Sequence, residues 1–297
     1  MSEQNAWLYQ HRNNVFSQGG EDGVIEKILE ILPSKDQWCV EFGAMDGRHL
    51  SNSCHLIENA GYRAVLIEAA TKPFRKLEAS YANNPSVTTI NRFVGFTAQD
   101  GLDSILRETE IPFDFDVLSV DIDGNDYHVW RAFSDYQPKV AIVEFNPTIP
   151  LGLEFVQEAN PKVSKGSSLR SIVELGKEKG YELVSVVGVN AIFVAEQYFP
   201  LFNITDNSPE ALWVDQRNVT HLFIGYDGEI HLIGAKSLKW HRLPINERKL
   251  QQLPGFLRNF PGNYNTFQRI LFAGLLLVRN PGEFMFQFRT KVLGKPD

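Results

Sequence analysis

An apolar run that ends in an acid and then turns on glycine constrains this chain more than any other feature. Trp38-Cys39-Val40-Glu41-Phe42 breaks into Gly43-Ala44-Met45-Asp46-Gly47, and the pattern returns as Ala64-Val65-Leu66-Ile67-Glu68. Short runs rich in branched apolar residues, closed by turn formers, read as strands buried on both faces. Glycine lets the first turn pass close to a ligand because no Cβ intervenes. An acid at the tip of the next strand is placed to accept hydrogen bonds from a ribose. The pair predicts a nucleoside-containing cofactor lying across the carboxyl edge of a parallel sheet.

The rest of the N-terminal two thirds extends that alternation. Gly23 to Leu32 carries apolar residues at helical spacing and is stopped by Pro33. Helices are also expected over Ser53 to Ala60, Pro73 to Tyr81, Tyr127 to Phe133 and Ser168 to Lys179. Further strands are expected at Val87 to Ile90, Asp116 to Asp121 and Lys139 to Phe145. Tyr181 to Val187 and Ala191 to Val194, separated by Gly188-Val189-Asn190, read as an antiparallel hairpin finishing the sheet. Strands alternating with crossover helices favour an α/β fold with a largely parallel sheet. The regularity fades after Tyr198, so the expected division is 1–198 for the sheet domain and 199–297 for an extension. That extension holds a small hairpin within Thr220 to Leu232, turning at Asp227-Gly228, and a greasy helix over Phe267 to Val278.

Charge separates the two parts. The chain of 297 residues has a formal charge of −7, which argues against general nucleic-acid binding. From Arg242 onward there are nine Lys or Arg and three acids, so a basic tail follows an acidic body. The tail suits packing against a second subunit, with an intramolecular cap and a peripheral membrane contact as the other readings. Cys39 and Cys54 do not form a disulfide framework, and Cys39 falls inside the first core strand. The start Met1-Ser2-Glu3-Gln4-Asn5 lacks the apolar segment of a signal peptide, and a cytoplasmic location is the expectation.

Two groups of residues could carry chemistry. Glu41, Gly43, Asp46 and Gly47 form a cofactor loop with Glu68 beyond it, although the loop follows neither GxGxxG nor the Lys-Ser/Thr ending of a phosphate loop. Asp121, Asp123, Asp126, Glu144 and Asn146 cluster at the ends of neighbouring strands. Asp121, Asp123, Glu144 and Asn146 make a hard-oxygen set suited to Mg²⁺ or Mn²⁺. The alternative is an acidic turn with Asp123 or Asn125 capping the next helix. His49 and His128 are placed for proton transfer, and Asp121 could serve as the base instead. Trp130 is expected to pack its helix against the sheet. Glu21 and Asp22 either approach the cofactor or cap the first helix.

The sequence resembles the FkbM-related class I methyltransferases. The likeness rests on Ser17-Gln18-Gly19-Gly20-Glu21-Asp22-Gly23, the Glu41 to Gly47 loop, Ser51-Asn52, Glu68 and Asp121-Ile122-Asp123-Gly124-Asn125-Asp126. It continues through Ser168-Leu169, Gly180 to Val184 and Gly188 to Val194. The resemblance implies a Rossmann-like seven-stranded sheet binding S-adenosyl-L-methionine, with a C-terminal cap or oligomerisation extension outside the match. It implies that Gly43 and Gly47 flank the amino-acid and ribose parts, that Glu68 holds the ribose, and that Phe96 approaches the adenine. The acidic cluster is similar to the metal site of catechol-type O-methyltransferases. The implied activity is O-methyl transfer to a saccharide or related polyhydroxyl metabolite. The other readings are a methyltransferase acting on a lipid or protein side chain, and a noncatalytic interaction protein that keeps the fold.

Overall fold

The computed structural model describes residues 5–293, with side chains through Thr290. Seven strands form one sheet: β1 (Trp38–Phe42), β2 (Arg63–Ile67), β3 (Val87–Ile90), β4 (Val117–Val120), β5 (Val140–Glu144), β6 (Tyr181–Val187) and β7 (Asn190–Ala195). Their spatial order is β3-β2-β1-β4-β5-β7-β6. Strands β1 to β5 pair in parallel, and β7 enters antiparallel between β5 and β6. This is the Rossmann-like seven-stranded sheet that the resemblance implies, and its parallel part is what the strand–helix alternation predicts.

The connecting helices are α1 (Glu21–Ile31), α2 (Cys54–Ala60), α3 (Thr71–Tyr81), α4 (Leu102–Leu106), α5 (Asp126–Ala132) and α6 (Leu169–Glu178). The longer ones bury apolar residues that recur on one face. In α1, Val24, Ile25, Ile28 and Leu29 are buried. Ser168 caps α6 by accepting from the Ser171 backbone N–H. Gly176 lets α6 approach the sheet closely, since a Cβ there would meet the Phe193 ring at 2.9 Å. Trp130 is 1% exposed and lies 5.1 Å, centroid to centroid, from Phe193. It packs α5 against the sheet, as expected. Cys39 and Cys54 are both buried free thiols.

The amino ends of the central strands are tied by charge. The buried Asp116 carboxylate accepts from Lys139 Nζ at 2.8 Å and from the backbone N–H groups of Asp36 and Gln37. Lys139 also reaches Asp36. A buried acid with three donors around it is satisfied rather than available, so this edge anchors the sheet. The carboxyl edge carries the site.

The chain divides into two compact units between Arg217 and Asn218. Residues 199–217 stay with the sheet unit through contacts that periodicity does not reveal. Phe202 O accepts from Trp7 Nε1, and Trp213 meets Phe145 edge-on at 5.3 Å. The second unit contains the hairpin β8 (Thr220–Ile224) and β9 (Ile230–Gly234), then helices α7 (Thr266–Arg279) and α8 (Pro281–Leu293). Neither α4 nor α8 is expected from the sequence pattern. Among the described residues no helix is long and apolar enough to cross a membrane.

Candidate functional site

The ends of four neighbouring strands, β2, β1, β4 and β5, and the turns that follow them build the site. After β1 the chain turns sharply, with Gly43, Met45, Gly47 and Leu50 all at positive φ. The two glycines answer first to the protein. A Cβ on Gly43 would lie 2.0 Å from the Asp121 backbone carbonyl, so glycine is needed for β1 and β4 to end side by side. A Cβ on Gly47 would meet Leu77 and Tyr81 of α3 at 2.5 and 2.6 Å. The Tyr81 hydroxyl donates to Gly47 O at 2.8 Å, which locks the turn to that helix.

Glu68 follows β2 and is 7% exposed. Its carboxylate accepts the Met45 backbone N–H at 2.9 Å through one oxygen and the Ala70 N–H at 2.6 Å through the other. A carboxylate oxygen carries two lone pairs. Each Glu68 oxygen therefore keeps acceptor capacity after these bonds, and the side chain is held in one orientation against the glycine turn. Two adjacent hydroxyls are a natural match for such a group.

Glu41 is used differently. It accepts from Ser51 Oγ and Ser53 Oγ at 2.5 Å each and from the Asn52 backbone N–H at 2.8 Å. Burial pushes its carboxyl pKa up, and the serine hydroxyls oppose that shift. The residue fastens the 51–53 segment beneath the turn. Asp46 accepts the backbone N–H groups of Arg48 and His49 at 3.1 and 2.8 Å, and the His49 N–H is the larger cause of its lowered pKa. His49 itself is exposed on the rim.

At the ends of β4 and β5 the acids converge. Asp121, Asp123 and Glu144 each place a carboxylate oxygen within 4.8 Å of the others. Asp123 adopts φ +57, a left-handed conformation uncommon outside glycine, in the turn that carries it. Burial, followed by the charge of Asp121, pushes Glu144 up to about 11. Burial likewise raises Asp121. Two carboxyls this close together and poorly solvated do not both ionise cheaply, so burial and mutual charge favour the protonated form of the pair. Asp126 is raised to about 7, first by burial and then by Asp121. It accepts the Ile122 and Gly124 N–H groups at 2.8 and 2.9 Å and so shapes the acidic turn. Asp126, rather than Asp123 or Asn125, organises the entry to α5; the Asn125 side chain makes no cap bond.

A long segment after β5 roofs this turn. Gln157, 1% exposed, accepts from the Lys165 and Gly166 N–H groups and donates to Val163 O. Gly124 approaches that segment so closely that a Cβ would sit 3.0 Å from Ser164 Cα. The Asn146 amide donates to Lys165 O and accepts from Thr148, so it buttresses the same segment. His128 Nε2 lies 2.8 Å from Gln157 O. A carbonyl only accepts, so Nε2 carries the proton in this arrangement. The His128 ring also packs at a tilt, 5.7 Å from the half-buried Phe96. Neither histidine belongs to the acidic trio.

The N-terminal acids hold the lead-in rather than cap α1. Glu21, fully buried, accepts from the Gly19 N–H and from Asn190 Nδ2, so the N-terminal segment is bound to the start of β7. Asp22 accepts three backbone N–H groups, Val15 to Ser17. Two asparagines to which the sequence assigns no individual role also emerge. Asn190 pairs across the ladder with Glu144. Asn190 Oδ1 and Asn52 Oδ1 are buried acceptors without a partner. Both fall in segments that carry the family resemblance, but only the tertiary pairing exposes their unmet capacity.

No family model and no curated protein matches the chain. Among solved structures it is similar to the N-terminal domain of EvdMO1, crystallised in the presence of SAH and D-fucose, at 12% identity and TM-score 0.38. That match covers 65% of this chain and 94% of the other. The CurJ carbon methyltransferase matches at 13% identity and TM-score 0.40, over 59% of this chain and 52% of its own. Aeropyrum pernix fibrillarin, with S-adenosyl-L-methionine natively bound, matches at 16% and 0.37, over 55% and 68%. The fold assignment stands on the strand order, independently of these values.

Proposed function

We propose that the protein is an S-adenosyl-L-methionine-dependent O-methyltransferase acting on a saccharide or related polyhydroxyl compound, with a divalent cation at the acidic trio. The observation that carries this reading is Glu68. It is pinned by two backbone donors beside the glycine turn, with one acceptor position spare on each oxygen. On a class I methyltransferase sheet that combination suits the two hydroxyls of a ribose.

Glu68 would hold the ribose, the 43–47 turn would flank the amino-acid part, and Phe96 would border the adenine. When bound, the donor supplies an electrophilic methyl group on a positively charged sulfur. The chain's contribution is placement of the acceptor, since alignment of reacting atoms lowers the barrier for a displacement of this kind. Asp121 and Glu144 would orient the acceptor hydroxyl, and Asp121 would take its proton. The all-oxygen character of Asp121, Asp123 and Glu144 fits Mg²⁺ or Mn²⁺. Such an ion would lower the acceptor's pKa. Asn146 and His128 act from behind, holding the 147–167 segment over the acidic turn.

Calorimetric titration with S-adenosylhomocysteine, with and without Mg²⁺, tests the reading. Glu68→Ala should weaken binding roughly 10- to 100-fold, the loss expected for hydrogen bonds to a charged acceptor. A thermal melt of the variant separates a local effect from unfolding. Unchanged affinity in a folded Glu68→Ala protein would refute the assignment.

A further inference from the structure

The C-terminal unit exposes more large apolar side chains than the sheet unit, although it is much the shorter of the two. Of the twenty-eight large apolar side chains exposed among the described residues, eighteen lie beyond Asn218. The concentration is greatest in the α7–α8 pair. No residue of α7 is buried, although its sequence is Thr-Phe-Gln-Arg-Ile-Leu-Phe-Ala-Gly-Leu-Leu-Leu-Val-Arg. Phe267, Ile270 and Val278 are 67%, 66% and 81% exposed. Met285, Phe286 and Phe288 of α8 are exposed as well. Exposed apolar side chains gathered on one helix pair mark a surface that is covered in use.

Length and charge identify the cover. The two helices have fourteen and thirteen residues, so each is about 20 Å long, against a hydrocarbon core of about 30 Å. They can lie in a bilayer interface and cannot span it. Arg269, Arg279 and Arg289 are distributed along the pair and exposed, and Glu283 is its only acid. Self-association of such a surface would set arginine near arginine with little negative charge to offset it. Anionic headgroups supply that charge, and a lipid surface takes the apolar side chains at the same time. Exposed Trp240 and Tyr226 in the same unit have the amphipathic rings favoured at headgroup depth. Between the helices a recess of about 790 Å³ is lined by Phe272, Ala273, Leu276, Phe284 and Phe288, with Arg269 at its edge. Its apolar walls and single cation match a hydrocarbon chain below an acidic headgroup.

We infer that the α7–α8 pair docks the protein on an anionic lipid surface as an interfacial anchor.

Flotation of the full chain tests this, using phosphatidylcholine vesicles with and without phosphatidylglycerol. The protein should float with the phosphatidylglycerol vesicles and lose binding as salt is raised. Arg279→Gln and Arg289→Gln should each reduce partitioning about fivefold. Ile270→Ser combined with Val278→Ser, both at exposed positions, should abolish flotation while the circular dichroism of the fold is kept. Protein left at the bottom with both vesicle types, whether light scattering finds it monomeric or dimeric, overturns the inference. Equal flotation with neutral vesicles, or flotation unaffected by the Ile270/Val278 change, overturns it too.

Discussion

Replacing Glu41 separates a structural carboxylate from a ligand-binding one. Its oxygens receive three donors: two serine hydroxyls at 2.5 Å and the Asn52 N–H at 2.8 Å. In Glu41→Ala the hydroxyls can turn toward one another, since Ser51 Oγ and Ser53 Oγ are already 3.3 Å apart. One hydroxyl and the Asn52 N–H then remain buried without acceptors. At about 1–3 kcal/mol for each unmet buried group, and with some loss of packing, the variant should be less stable by about 3–5 kcal/mol. Glu41→Gln keeps the shape, one acceptor and a donor that can meet a hydroxyl oxygen, so its loss should be about 1–2 kcal/mol. The sign of the pH effect follows from burial, which raises the carboxyl pKa in the folded state above its ordinary value. The wild type therefore loses stability as pH climbs above the unfolded-state value, and its advantage over Glu41→Gln narrows. Urea unfolding at several pH values measures all of this, provided the m-values agree. A Glu41→Ala protein within about 1 kcal/mol of wild type would refute the account, because one unmet buried group alone costs at least that much. So would a Glu41→Gln protein that keeps its stability but loses donor affinity.

Three further outcomes are expected. The Glu144 carboxyl is pushed up to about 11 in the folded protein, so in chelator Glu144→Gln should gain stability over wild type as pH rises from about 5 to about 8, above the ordinary glutamate range. The linkage limit is about 1.4 kcal/mol per pH unit, and roughly half of that is the expectation after solvent relaxation. A gap that stays flat or shrinks in urea melts would count against the buried acid pair. Gly43→Ala should prevent stable folding or destabilise the protein by more than about 3 kcal/mol, because its Cβ would sit 2.0 Å from the Asp121 carbonyl at a positive φ; soluble expression with a near-wild-type melting temperature would contradict it. Asp121→Asn should weaken Mn²⁺ binding and lower turnover together, and full activity after thorough chelation would remove the cation from the mechanism.

The strands, their order along the chain and the helices between them were legible because burial on both faces demands continuous apolar runs. Val140 to Glu144 and Tyr181 to Val187 can hardly be anything else. The acids at the strand tips were legible for the same reason: a charged residue closing an apolar run must emerge at an edge. Helix α4 was hidden by its five-residue length, and α8 by Pro281-Gly282 at its start, which reads as a turn. Among the site residues, type and position along the chain were visible, but engagement was not. Glu41 and Glu68 both sit at strand tips, yet one is filled by Ser51, Asn52 and Ser53 while the other keeps acceptor capacity. The segment from Pro147 to Ser167 has no periodicity to announce that it roofs Gly124 and ties His128 through Gln157.

Sequence alone thus determined the strands and their alternation with helices, since hydrophobic patterning is a local property repeated along the chain. It could not determine which polar atoms on the carboxyl edge remain free, because hydrogen-bond satisfaction depends on partners brought from distant segments. Glu21 meets Asn190 only once β7 has been inserted beside β5. The tertiary structure alone decided that pairing, the convergence of Asp121 and Glu144, and the exposure of the apolar α7 and α8 faces.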